Sequence, residues 1–361
     1  MTILDDFEAI KNIDIDEALK SIDSFLDQCR QALEETEKLN LPNLQGKVDN
    51  IVVSGMGGSA FTPEIVKTLF SDEIKLPYEI IREYHLPGYV NSRSLVIISS
   101  YSGTTAEAIA CGKEALKRSS TVLIICSQRE GSELLLLAKE KNLNGYIFKE
   151  TYNPSRQPRL GGGYTVCGHA GLLIKTGLLK TDFQGLKQAV ESVQTISSLD
   201  MKKPLRTNPA KQLAEKLYKK FPVLIASEFL CGAIHGFANQ LNESAKTNSV
   251  YHFIPEFNHH RMEGFEFPAE FKNQGACVFY PSDLYDKRIQ KRYQLTKDIV
   301  NQNGLVVLEY QPQAPDKIAQ TLETVVFNSY VSYYLAILYK KNPLLIPWVD
   351  YFKTQLKKKN D

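Results

Sequence analysis

Two short apolar runs that end in glycine and hydroxyl residues constrain this chain most. The first is Ile51-Val52-Val53-Ser54-Gly55-Met56-Gly57-Gly58-Ser59-Ala60. The second is Leu95-Val96-Ile97-Ile98-Ser99-Ser100-Tyr101-Ser102-Gly103-Thr104-Thr105. In each, a β-branched strand runs into a tight turn and a helical pattern follows. Such a turn offers free backbone N–H groups and the positive end of a helix dipole. Glycine lets the backbone approach an anion, and Ser or Thr hydroxyls add donors without bulk. Neither turn carries the lysine of GxxxxGK[ST], which argues against a nucleoside triphosphate site, and the first does not match GxGxxG. The pair reads as a site for a phosphate monoester.

The rest of the chain sets the bounds. At 361 residues it is long enough for two domains. A net charge of +2 offers no electrostatic case for nucleic acid. The six cysteines contain no CxxC, so a zinc site is not expected and free thiols in a reducing cytosol are. The acidic start, MTILDDFEAIKNIDIDE, lacks the apolar stretch of a signal peptide. The greasiest segment, 324–339, is broken by Asn328, Ser329 and Ser332 and reads as a buried helix, not a membrane span. A cytoplasmic protein is expected.

Taken in order, Ile15, Ala18, Leu19, Ile22, Leu26, Cys29 and Leu33 predict an amphipathic helix over 15–39. Strands then alternate with helices: strands at 50–54, 78–82, 95–99, 121–126 and 145–148, helices at 61–70, 105–117 and 131–141. A further helix is expected at 164–179. The second half repeats the scheme, with strands at 222–226, 250–254, 276–280 and 305–310 and helices at 209–219, 229–241, 285–302 and 315–339. Short apolar strands separated by helices predict an α/β protein with two doubly wound parallel sheets. The expected divisions are an N-terminal helical segment (1–45) packing on the first domain, a phosphate-binding first domain (46–196), a linker (197–208), a second domain (209–346) and a C-terminal helix (347–361).

A few residues outside the turns have a chemical reading beside an ordinary one. Glu243, in Asn242-Glu243-Ser244-Ala245-Lys246, ends a helix that reads as buried. Burial would raise its pKa toward a value useful for a general base, and an exposed helix-end glutamate is the ordinary alternative. His259 and His260 sit on a loop, where histidines pass protons near neutral pH or simply face solvent. They lack a third partner for a metal. Arg159, in a Pro- and Gly-rich loop, and Lys353, on an amphipathic helix, are by themselves an ion-pair residue and a solvated residue. His85, His169, His235 and His252 show no partner pattern.

Together these segments resemble the bifunctional phosphoglucose/phosphomannose isomerases, whose domains are of the sugar isomerase (SIS) type. The likeness rests on GMGGSA at 55–60, SYSGTT at 100–105, PRLGGGY at 158–164, NESAK at 242–246, PEFNHH at 255–260 and PWVDYFK at 347–353. It implies that Gly58, Ser59, Ser100, Ser102 and Thr105 bind the substrate phosphate. It implies that Glu243 shuttles a proton between C1 and C2, that Arg159 stabilises the enediolate, and that His259 and Lys353 help open the sugar ring. His259 would reach the site of the other subunit of a homodimer. The implied activity interconverts glucose 6-phosphate and fructose 6-phosphate, with mannose 6-phosphate as a further substrate. It requires no metal or cofactor. Three segments depart from the pattern. His260 and Arg261 follow His259 where asparagine and an acidic residue are usual, and Gly161-Gly162-Gly163 replaces small apolar residues. Ile346 stands where the family has a threonine linked to accepting both C2 epimers, which puts the mannose activity in question.

Three other readings are weaker. An aminosugar-phosphate isomerase is compatible with the turns, but no N-terminal cysteine is present to release ammonia from glutamine. A sugar-phosphate-sensing regulator would need a DNA-binding module, and only one helix is predicted before the first sheet. A dinucleotide-dependent oxidoreductase lacks its fingerprint.

Overall fold

The computed structural model describes residues 2–194 and 196–358; Met1, Thr195 and residues 359–361 fall outside that description. Among the described residues, nine strands form two all-parallel sheets. The first has the order β2-β1-β3-β4-β5 and comprises β1 (Asn50–Ser54), β2 (Tyr78–Ile81), β3 (Ser94–Ser99), β4 (Thr121–Ser127) and β5 (Asn144–Phe148). The second has the order β7-β6-β8-β9 and comprises β6 (Phe221–Ala226), β7 (Val250–Phe253), β8 (Gly275–Phe279) and β9 (Val306–Glu309).

Strand alternation divides the first domain's core. Ile51, Val53, Leu95, Ile97, Leu123 and Ile125 point into a large core that continues through the second domain. Val52, Val96, Ile98 and Ile124 point the other way, onto Ala108, Cys111 and Leu134. Both sheets are doubly wound. The β1–β2 and β3–β4 connections move in opposite directions across the sheet, so right-handed crossovers place helices Gly58–Leu69 and Ala106–Lys117 on opposite faces. The same rule puts helices Cys231–Glu243 and Lys287–Gln302 on opposite faces of the second sheet.

The two domains meet through the first helix of each. A Cβ at Gly232 would stand 2.5 Å from the Ile65 Cα, and one at Gly236 would stand 2.8 Å from the Phe61 ring. The partner residue falls by four as the glycine rises by four, so helices Gly58–Leu69 and Cys231–Glu243 run antiparallel. The end of the second helix, at Glu243, therefore lies against the start of the first, at Gly58. Helix Lys317–Leu338 covers this pair and is buried from Ala319 to Ile337, as its apolar sequence predicts.

Two local expectations change. The helix predicted over 15–39 is two helices, Ala18–Asp23 and Phe25–Glu37. The Ser21 carbonyl, which a continuous helix would pair with the Phe25 N–H, accepts instead from Gln28 Nε2 at 3.1 Å. The Asp14 carboxylate accepts from the Ala18 and Leu19 N–H groups (2.7 and 3.1 Å), so the first helix starts late and Ile15 is left 69% exposed. A helix with no counterpart in the sequence reading spans Phe183–Ser192; Asp182 caps it at Gly185 N (2.8 Å) and it buries Phe183, Leu186, Ala189 and Val190. The segment read as a linker is tied down, because the Asn208 amide donates to the Leu199 and Asp200 carbonyls (2.9 and 3.1 Å).

His169 is fully buried in helix Gly162–Lys175, with Nδ1 2.6 Å from the Thr165 carbonyl oxygen. Burial pushes its pKa down to about 4. A histidine depressed in the folded state binds its proton first in the unfolded chain, so its contribution is lost as pH falls from about 6.5 toward 4. His169→Gln should therefore lose less stability than the parent between pH 6.5 and pH 5, by about 1.5 kcal/mol, because the slope reaches its full ~1.36 kcal/mol per unit only well below pH 6.5. Urea denaturation at the two pH values checks this; equal losses in both proteins would refute it.

Candidate active site

The two turns lie at the carboxyl edge of the first sheet. The first helix opens at Gly57 (φ 51) and the second behind Thr105, and neither start is capped by a side chain. The neighbouring helix Glu133–Lys141, by contrast, is capped by Ser132. The phosphate candidates are joined to one another. Ser59 Oγ accepts from the Tyr101 N–H at 2.9 Å, which fixes the first turn to the second. Ser100 Oγ donates to Thr105 Oγ1 (3.0 Å), and the Ser102 and Thr104 hydroxyls lie 3.0 Å apart. Both turns also touch the loop that carries Arg159. A Cβ at Gly58 would lie 3.3 Å from Pro158, and one at Gly161 would lie 2.3 Å from the Tyr101 ring. Gly163 is held as closely, 2.6 Å from the Phe25 carbonyl oxygen, whereas Gly162 meets nothing nearer than 3.5 Å. Close approach thus accounts for the first and third glycines of this run.

Arg159 is 2% exposed, and every N–H of its guanidinium has a partner. Nε donates to Ser244 Oγ (3.0 Å), and Nη1 donates to Gln157 Oε1 (3.0 Å) and Glu243 Oε2 (3.2 Å). Nη2 donates to the carbonyls of Pro343 (2.8 Å) and Leu344 (3.0 Å). Burial holds the guanidinium below the ordinary arginine value, while Glu243 and Asp350 act in the opposite sense. Glu243 is partly buried. Its side chain is 30% exposed, and it forms an ion pair with Arg159. The carboxylate therefore has an open side and a fixed cation on the other.

The remaining candidates are distributed differently. Ile346 occupies the N-cap position of helix Pro347–Lys358, its carbonyl accepting from Asp350 N at 3.0 Å. Asp350 acts on the Arg159 charge from the first turn of that helix, and Lys353 lies one turn further on, exposed. His259 is exposed on the short helix Phe257–His260. The preceding Asn258 donates to Thr296 Oγ1 (2.7 Å) on helix Lys287–Gln302, which covers the opposite face of the second sheet from Glu243. The chain thus brings together the two turns, Arg159 and Glu243, places the C-terminal helix beside them, and leaves His259 across the sheet.

Several supporting residues escape a reading by motif. The buried Gln28 amide donates to the Tyr152 and Leu160 carbonyls (3.0 and 2.9 Å) and accepts from Gly163 N (3.2 Å), clamping the Arg159 loop at both ends. Gln240 Nε2 donates to the Arg159 carbonyl (3.2 Å) and to Ser329 Oγ (2.9 Å). A glutamine one turn before Glu243 on a buried helix was the available signal.

Residues 206–356 match the family described as bacterial phospho-glucose isomerase C-terminal SIS domain. A bifunctional phosphoglucose/phosphomannose isomerase of Caldicellulosiruptor bescii is 27% identical over 342 residues, which covers 93% of this chain and 98% of the relative. One of the same name from Aquifex aeolicus is 26% identical, covering 85% and 90%. Along most of its length the chain is similar to proteins named bifunctional phosphoglucose/phosphomannose isomerase. The fold likeness extends to the crystal structure of a hypothetical protein from Thermus thermophilus, with a TM-score of 0.71 at 16% identity over 98% of this chain and 94% of that one.

The arginine fork generates a stability prediction. Arg159→Lys cannot reach all these acceptors and leaves buried carbonyls unpaired, at a cost of about 2–4 kcal/mol. Ser244→Ala removes one acceptor and should cost about 1–2 kcal/mol. Urea denaturation followed by circular dichroism checks both; a lysine variant as stable as the parent would show that the fork does not hold the loop.

Proposed function

We propose that this protein is an aldose–ketose isomerase that interconverts glucose 6-phosphate and fructose 6-phosphate and also takes mannose 6-phosphate. The observation that carries the reading is the Glu243–Arg159 pair, 3.2 Å apart, set against two uncapped helix starts. The hydroxyls of Ser59, Ser100, Ser102 and Thr105, with the backbone at Gly58, bind the phosphate. Held there, the phosphate orients the distant reacting carbons. Glu243 removes the proton from C2 of the aldose and returns it to C1. One carboxylate serves both transfers because the two carbons are adjacent in a planar cis-enediol. Arg159 keeps its charge throughout and stabilises the enediolate oxygen, and its partners fix it in place before the charge develops.

Ring opening falls to His259 and Lys353. Within one chain, His259 is across the second sheet from Glu243, so we assign it to the site of a second subunit in a homodimer. Exposed aromatic residues support such a pairing: Trp348 is 82% exposed, Phe267 73% and Phe352 60%. The six cysteines are buried and unpaired, in keeping with a reducing cytosol.

Supplied with fructose 6-phosphate alone, the purified protein should yield glucose 6-phosphate and mannose 6-phosphate. Neither product, from a folded protein that binds the sugar phosphate, would overturn the proposal. Glu243→Gln should retain that binding and lose about a thousandfold in kcat, the usual scale of a general base. Near-normal turnover would remove Glu243 from its role. Ile346→Thr supplies a side-chain oxygen at the N-cap and should raise stability by about 0.5–2 kcal/mol. It should also increase the share of mannose 6-phosphate among the products. An unchanged product ratio would separate this position from epimer choice.

A further inference from the structure

A cavity lies outside the site described above. It has a volume of about 410 Å³ and sits at the amino edge of the second sheet. Its wall carries Lys219, Lys220, Lys246 and Lys341, with the rings of Phe221 and Tyr339, and no carboxylate. None of the four lysines forms an ion pair among the described residues. Lys220 Nζ donates to the Asn273 carbonyl (2.8 Å), and Lys246 Nζ donates to the carbonyls of Glu243 (2.7 Å), Ser244 and Asn342 (both 3.2 Å).

The ordinary explanation is that these lysines answer helix ends. Helices Pro209–Leu217, Cys231–Glu243 and Lys317–Leu338 all terminate here. Their dipoles supply roughly half a negative charge each, about one and a half in all, against four ammonium groups. An excess of about two and a half positive charges remains over what these helix ends supply. The Lys246 ammonium is displaced from its ordinary value, chiefly by burial. Burial, then Arg159 and Lys341, push its pKa down to about 8, with Glu243 pulling the other way. Lys219, Lys246 and Lys340 also adopt left-handed backbone (φ 62, 54 and 53) just past these helix ends, where glycine or asparagine is the usual choice. A crevice lined by charges of one sign concentrates ions of the other, and the volume is that of a metabolite site.

We propose that this crevice is a second anion site that takes a polyanionic phosphate compound of metabolite size. Lys219, Lys220, Lys246 and Lys341 would meet its phosphate oxygens, and Phe221 and Tyr339 would pack on any organic part. The site is wired to the first. Lys246 holds the carbonyls of Glu243 and Ser244, and Ser244 Oγ accepts from Arg159, so an occupant drawing on Lys246 alters the hold on the Arg159–Glu243 pair. Coupling to turnover rests on the function proposed above; binding does not.

The test uses inorganic pyrophosphate as the probe and the full chain at low ionic strength, followed by calorimetric titration. A Ser102→Ala/Thr105→Ala protein, weakened at the phosphate turns, should still bind one pyrophosphate in the crevice. Lys219→Gln/Lys341→Gln should weaken that event by at least about tenfold, and Lys219→Arg/Lys341→Arg, which keeps the charge, should restore it. The restored variant separates lost charge from a disturbed fold. Loss of all binding in the turn variant, or affinity unchanged in the glutamine variant, would overturn the proposal. Both outcomes are read without any isomerase assay, so a failure here is distinct from a failure of the proposed activity.

Discussion

The antiparallel contact between helices Gly58–Leu69 and Cys231–Glu243 is the constraint on which the rest of the site depends. Gly232 and Gly236 bring it within a distance no side chain would permit. Because the helices oppose each other, the amino end of one meets the carboxyl end of the other. The first offers N–H donors and positive dipole, suited to a phosphate. The second ends in carbonyls and a negative dipole, an unfavourable place for a carboxylate. Glu243 is nonetheless there, and Arg159 is the cation paired with it. A site of mixed charge thus follows from helix direction before any particular side chain is considered.

Arg159 turns that arrangement into a rigid one. A buried cation is costly unless its charge and donors are met. Here one carboxylate meets the charge, while a serine, a glutamine and two carbonyls meet the remaining donors. These partners come from the glycine-rich loop, the end of the second-domain helix and the segment that leads to the C-terminal helix. Removing the guanidinium would release three parts of the chain at once. The same bonds leave Glu243 open on one side, so the residue proposed to move a proton is not enclosed by the residues that fix its neighbour.

The sheets and the two turns were legible in the sequence because parallel strands, buried on both faces, are written as unbroken β-branched runs. The turns stand out because glycine and serine interrupt those runs at the strand ends. What escaped was set by single contacts. The break at Ser24 depends on Gln28 reaching back to Ser21, and no periodicity encodes a side chain that far away. Helix Phe183–Ser192 carries a cap and an apolar face, but Gly185 and its nearness to a polar stretch masked it. For Glu243 the sequence left partial burial and an exposed helix end both open; the helix ends there, and the side chain is half-buried. The supports of Arg159 are glutamines and a serine, residue types that are chemically silent until the fold brings them together.

The two domains share an architecture and use it differently. The first sheet contributes its carboxyl edge, as doubly wound sheets commonly do. The second contributes the far end of its first helix, which lies at its amino edge. Its own carboxyl edge and the segment beyond, ending in His259, are left facing away. Had both domains used equivalent edges, the antiparallel helix pair would have held the two sites at opposite ends of the molecule. The packing instead brings one edge of each together at the Arg159–Glu243 pair and leaves an exposed histidine-bearing segment on the outer face, away from that pair.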